Sequence, residues 1–263
     1  MTQDKVQKGN KAYRILAVLF WIVIWQAASM IVNKEMLLAS PFAVIGALFQ
    51  LAVKADFWQS IFNSYINIVG GFGLAILFGV FFAVGSYMSF LFQEMITPLI
   101  NITKTTPIAS FIILALLWVE PSGLSILIAF LMVVPVIYTN VLHGLINTDR
   151  KLLEMAKVFR MDWSKKIRYI YIPEVMPYFV SSCSVGLGFC WKSGIAAEII
   201  GLPKNTIGEN LYEAKLYLMT KELFAWTFVI IGISVIFEKI IIWLLKKSQD
   251  IVTGNSAGRQ NSR

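Results

Sequence analysis

The sequence predicts an all-α protein, a polytopic membrane helix bundle of about six transmembrane helices with a cytoplasmic loop between spans four and five. Three observations predict it. Hydrophobic residues make up 57% of the 263-residue chain and charged residues only 14%, against roughly 25% charged in a soluble domain. Apolar runs of about 20 residues recur, each long enough to cross a ~30 Å hydrocarbon core as a helix. The cations behind the net charge of +8 are gathered in particular connecting segments. That clustering marks topology, and no nucleic-acid partner is expected.

The elements follow in order. Residues 1–12 form a polar N-terminal tail. Span one covers residues 14–32; no small-residue cleavage site follows it cleanly and further spans come after, so it is not expected to be a signal peptide. Ser40-Pro41 opens a shorter apolar stretch, 41–53, cut off by Lys54 and Asp56 and expected at the outer interface. Span two covers 61–87. A helix over 91–103 leads into Thr106-Pro107, and span three runs on to Trp118. Pro121-Ser122-Gly123 reads as a tight turn. Spans four, five and six cover 124–142, 177–200 and 223–245. The expected division is therefore a tail (1–12), a transmembrane domain (13–245) holding a loop at 143–173, and a disordered tail (246–263) rich in Ser, Gly, Asn and Gln.

Charge sets the expected orientation. Six spans put the N-terminus, the loop after span four and the C-terminal tail on one side. Those regions hold fifteen cations: Lys5, Lys8, Lys11 and Arg14; Arg150, Lys151, Lys157, Arg160, Lys165, Lys166 and Arg168; and Lys246, Lys247, Arg259 and Arg263. The opposite loops hold five, Lys34, Lys54, Lys204, Lys215 and Lys221. Positive-inside bias predicts a multi-pass protein of the cell membrane with both termini and the 143–173 loop in the cytoplasm.

Within that loop, Asn147, Thr148 and Asp149 are N-cap candidates for a helix starting near Arg150. Leu152, Met155, Ala156 and Phe159 follow the i, i+3, i+4, i+7 spacing of one apolar face. Asp162 can cap a second short helix with the stripe Trp163, Ile167 and Ile170, and Pro173 and Pro177 fit a break before span five. The result is a compact knob with an apolar side and a cationic rim. A basic loop resting on anionic headgroups is the plainer reading, but it requires no acid at a set distance from Pro173.

The order Glu154, Ala156, Ile170, Pro173 resembles the EAA loop of ABC importer permeases, in which Glu-Ala-Ala is followed by Gly, nine residues and Ile-x-Leu-Pro. Arg160 stands where that family prefers Gly, and Ile172 where it has Leu. Further blocks are similar to the nitrate/taurine/sulfonate-type permeases: Ser40-Pro41-Phe42, Thr106-Pro107-Ile108-Ala109, Trp191-Lys192, Ala197-Glu198, Ile207-Gly208 and Phe224-Ala225-Trp226. The resemblance implies a permease subunit whose loop inserts into a groove of a separate ABC ATPase, through Leu152, Glu154, Ala156, Phe159, Arg160, Ile170 and Pro173. It also implies an extracytoplasmic substrate-binding protein, a second copy of the chain as homodimer partner, and a small anion such as a sulfonate or nitrate as substrate. A vitamin or its precursor as cargo, and a secondary transporter, are the alternatives. Gly tolerates φ > 0 at a tight inter-helix turn, so with Arg160 either the turn is built differently or the side chain gains an offsetting contact.

Span two carries Gly71, Ala75, Gly79 and Ala83, and span five Ser182, Gly186, Cys190 and Gly194, both at four-residue steps that let helices approach closely in lipid. Helix packing and a path-lining role, for Gly186 and Gly194 in particular, fit that spacing equally. Lys192 and Glu198 fall in the outer half of span five, where an ionisable residue suggests a gate or path by default, or else a structural partner and a snorkelling lysine. At about 120° apart round the helix they do not form a direct pair. Cys183 and Cys190 lie about 10.5 Å apart along a helix, too far for a disulfide. Gly71-x-Gly73 lacks the third Gly of a dinucleotide site, and Trp191 stands where a P-loop before Lys192-Ser193 needs Gly. The chain is therefore not expected to bind ATP or act as an enzyme. His143 is the single histidine, and neither a metal nor a cofactor is expected.

Overall fold

A computed structural model describes residues 11–32 and 34–253, and every regular element in them is helical. In chain order these are α1 (Lys11–Val32), α2 (Pro41–Ala52), α3 (Ala55–Met88), α4 (Phe90–Thr105), α5 (Ile108–Ala115), α6 (Pro121–Ile146), α7 (Arg150–Val158), α8 (Trp163–Lys166), a π-helical turn (Ile167–Tyr171), α9 (Ile172–Gly201), α10 (Ile207–Leu216) and α11 (Thr220–Thr253). Five helical stretches are long and apolar enough to cross a membrane, and α4 with α5, a pair bent by 107°, passes the same test as a pair, so the count is six where that pair is one span. The chain divides into two units, Met1–Gln59 with Asn210–Ile230, and Ser60–Glu209 with Ile231–Arg263.

In the first unit, Ser40 caps α2, its hydroxyl accepting the Ala43 N–H at 3.3 Å, and Pro41 occupies the first helical position, where its missing N–H costs nothing. Ala39, Val44, Ala47 and Ala225 form a small core, with Trp25 and Phe224 packed against it. At 12 residues α2 spans only about 18 Å, too short to cross. In α1, most apolar side chains of the window Ile15–Val32 are exposed, with Trp25 packed on this core and Ser29 buried.

The second unit is built on α3, α6 and α9. Gly71 lies where an added Cβ would meet the Ile126 carbonyl oxygen at 2.5 Å, and Gly79 where it would meet Ile137 Cβ at 2.8 Å. Farther along, the Tyr138 hydroxyl donates to Ser86 Oγ at 3.2 Å. Rising numbers on α3 thus meet rising numbers on α6, so the two helices are parallel. On the other side Glu198 meets Ser125, Gly186 meets Val133, and Gly144 meets Val175, so α9 runs antiparallel to α6. Parallel neighbours require the chain to return between them. The bent pair does so, from Phe92 beside Gly85 to Ile112 and Ala115 packed with Leu124 and Ala197.

Four expectations change. Span three is a broken element, because Pro107 can donate no N–H and biases Thr106 to extended backbone (ψ 131°), leaving α5 only 8 residues. Pro121-Ser122-Gly123 is the first turn of α6, with Glu120 as N-cap and Pro121 pre-set for helical φ. No break precedes span five; Trp163–Gly201 is one helical stretch of 39 residues. Residues 246–253, expected in the disordered tail, continue α11. The expected N-terminal and C-terminal extremes, including Lys5, Lys8, Arg259 and Arg263, lie outside the described residues.

Because the α3–α6 approach is backbone to backbone, Gly71→Ala should lower the thermal midpoint of the purified protein. Overpacking of this kind costs about 1–3 kcal/mol. Gly73→Ala, which meets nothing within 4 Å, should leave the midpoint unchanged. Equal melting of both variants would contradict the packing described.

Candidate functional site

The loop knob begins at Asp149, the candidate that serves as N-cap: its carboxylate accepts the Lys151 N–H at 2.9 Å. Of the other two candidates, Asn147 closes α6 and Thr148 donates to the Gly144 carbonyl at 3.2 Å. The helix ends in a Schellman turn, the Arg160 N–H reaching the Lys157 carbonyl at 3.0 Å and the Met161 N–H the Ala156 carbonyl at 2.8 Å. Arg160 is the left-handed residue of that turn, at φ 49°. The turn is the one glycine would make, and an arginine holds it at a cost of roughly 1–2 kcal/mol.

The predicted apolar face divides in two. Ala156 is fully buried by the chain itself, so it packs the knob from within and offers no free docking surface. Leu152 is half-buried, while Met155, Val158 and Phe159 face outward, Phe159 at 76% exposure. Glu154, Arg150, Lys151, Lys157 and Arg160 are exposed around them.

Beyond the turn, Asp162 stands at the N-cap of α8 and the helix continues into α9 through the π turn, in which Ile170 is buried. Pro173 cannot donate to the Tyr169 carbonyl, and its ring would crowd that group in a regular helix. Widening the preceding turn, with the Ile172 N–H on the Ile167 carbonyl, carries the chain past the proline without a break. The Tyr171 hydroxyl lies 3.2 Å from that of Tyr87, tying this turn to α3.

At the opposite end of the bundle, Glu198 is fully buried. The Ser64 hydroxyl donates to its Oε2 at 2.7 Å, the Gly208 N–H to the same oxygen at 3.1 Å, and the Ser125 hydroxyl to Oε1 at 3.3 Å. Ser64 in turn accepts the Ile207 N–H at 2.9 Å. One carboxyl therefore fastens α3, α6 and α9 to the start of α10. Gly208 is required there, because a Cβ would lie 2.2 Å from Glu198 Cβ.

Lys192 is exposed and is not brought to Glu198. Gly186 and Gly194 are buried, with Val133 Cγ1 at 3.0 Å and Ile68 Cγ1 at 2.6 Å from where their Cβ atoms would sit, so both are packing positions within this chain. Cys183 and Cys190 are free thiols. Sequence reasoning missed Ser64, Ser125 and Tyr87, since single hydroxyls on three separate helices carry no periodic signal. Gly208 had a signal, the Ile207-Gly208 block, but nothing that paired it with Glu198.

Several apolar crossing helices, a broken pair of helices and an exposed amphipathic knob between two of them define a polytopic all-helical membrane protein. The comparison with family models gives the particular family: the chain belongs to the binding-protein-dependent transport system inner membrane component family, which it matches over residues 75–249. Among curated relatives it is 27% identical to the putative aliphatic sulfonates transport permease protein SsuC of Escherichia coli, over 76% of each chain. It is 23% identical to the taurine transport system permease protein TauC of the same organism, over 85% of this chain and 82% of the relative. The bicarbonate transport system permease protein CmpB of Synechococcus elongatus is 23% identical over 73% of this chain and 69% of its own.

Two outcomes follow. Glu198→Ala strands two hydroxyls and an N–H, each worth about 1–3 kcal/mol when buried and unpaired. Yield and melting temperature should fall together with transport; normal stability with lost uptake would make Glu198 a path residue instead. Arg160→Gly should raise the melting temperature or leave it unchanged, and Arg160→Val, β-branched at positive φ, should lower it; the reverse order would deny the left-handed turn.

Proposed function

We propose that this chain is the permease subunit of an ATP-driven importer, working as a homodimer with two ABC ATPase subunits and an extracytoplasmic binding protein. The carrying observation is the knob between α6 and α9: a capped helix presenting Met155, Val158 and Phe159, rimmed by cations, at the head of a 39-residue helix. An exposed apolar patch on a polar loop outside the spans calls for a protein partner. The ATPase groove is the partner the family offers, with Leu152, Glu154, Phe159 and Arg160 at the contact and Ala156, Ile170 and Pro173 shaping the knob from within.

The parallel α3 and α6 support six crossings, hence both termini on the side of the knob, where fifteen of the cations fall. Positive-inside bias makes that side the cytoplasm. The exposed apolar face of α1 fits packing against lipid or a second copy. Small anions are the proposed cargo, from the sulfonate, taurine and bicarbonate in the relatives' names.

Phe159→Asp tests the reading. The side chain is exposed in the free chain, so membrane insertion and melting should be unaffected. Burying an unpaired carboxylate against the ATPase costs several kcal/mol, so ATPase co-purification should be lost. Glu154→Ala should act more mildly, reducing hydrolysis stimulated by loaded binding protein more than assembly. Wild-type assembly and stimulation in both variants would remove the knob from the coupling role.

A further inference from the structure

We infer that the loop end of the bundle carries a binding site for an anionic phospholipid, its acyl chain in the apolar groove between α3, α6 and the start of the long helix and its headgroup on Lys166 and Arg168. The groove has a cavity volume of about 390 Å³, and its walls include Val84, Val141, Leu145, Trp163, Ile167 and Tyr171. The polar atoms nearest it are already engaged, the Tyr87 and Tyr171 hydroxyls with each other at 3.2 Å. A water-filled or polar-ligand site would need free donors or acceptors in the wall. This one offers only hydrocarbon and aromatic surface, inside helices that cross the membrane.

The mouth of the groove selects the occupant. Trp163 and Ile167 lie one turn apart on a single face, and both line the cavity. Lys166 and Arg168 flank Ile167 by about 100° on either side, and Lys165 adjoins them; Lys165 and Arg168 are exposed and Lys166 is half-buried. Among the described residues the lysines form no ion pair, and Arg168 rests its guanidinium 5.9 Å from the Tyr169 ring. Cations therefore stand at the lip of a slot whose interior is apolar, beside Trp163, Tyr169 and Tyr171, residue types that favour the membrane interface. An apolar tail joined to a phosphate is the molecule complementary to both parts. A zwitterionic lipid would fill the slot equally but would leave the cations with only half a partner.

This inference goes beyond the importer reading and needs only the membrane location, so the two can fail separately. The test takes the full chain, purified in detergent and incubated with equimolar phosphatidylglycerol and phosphatidylcholine of matched acyl chains. Native mass spectrometry then counts the lipids retained. Near-surface basic residues contribute enough each to predict a preference of about tenfold or more for phosphatidylglycerol. Lys166→Gln with Arg168→Gln, on a half-buried and an exposed position, should bring phosphatidylglycerol retention down to the phosphatidylcholine level with the melting temperature unchanged. Val84→Trp, filling the slot, should reduce both. Equal retention of the two lipids by the unaltered chain, or a preference that survives the double substitution, would overturn the inference. Undiminished retention in Val84→Trp would overturn the groove as its location.

Discussion

The close approach of α3, α6 and α9 is the constraint on which the second unit depends. Lipid tails are as apolar as leucine, so helices in a bilayer gain little from hydrophobicity alone and associate through van der Waals contact. Gly71 and Gly79 bring α3 onto the backbone of α6, and Gly186 and Gly194 set α9 against Val133 and Ile68. That packing fixes the directions of the three helices. Because α3 and α6 are parallel, the segment between them has to recross, and it does so with a proline break at its centre.

Each end of this packed trio is then closed by a different polar device. At one end the Glu198 carboxyl gathers two serine hydroxyls and a backbone N–H. At the other, paired tyrosine hydroxyls join the π turn to α3. Both devices hold residues of one continuous helical stretch of 39 residues, about 58 Å long. In the proposed importer this gives the knob a direct mechanical line to the far side of the membrane. A displacement at α7 is applied to the end of a rod whose other end holds the glutamate clasp.

The knob itself shows how a tight inter-helix turn is made without glycine. The Schellman hydrogen bonds are made with Arg160 at positive φ. The backbone requirement is thus met at the expense of local strain, while the charge joins the cationic rim. Neighbouring Ala156 is small because the chain covers it completely. A larger residue there would have to displace the knob from the bundle.

The sequence by itself determined the helical class with about six crossings, the loop helix from residue 150, the small-residue stripes and the identity of Glu198 as an unusual position. These are matters of composition, period and local capping, which a single segment carries. It also gave the partial match that resembles the permease family. Only the tertiary structure decided what those features meet. The partners of Glu198 are 134, 73 and 10 residues away, and no local pattern encodes such a meeting. The proline before span five looked like a stop because proline lacks a donor. The π turn, made in the packed helix, supplied the extra width that turned that stop into a continuous span. Ala156 and Phe159 share one predicted face, yet one is sealed and the other open, because burial depends on which neighbours fold over it rather than on spacing along the chain.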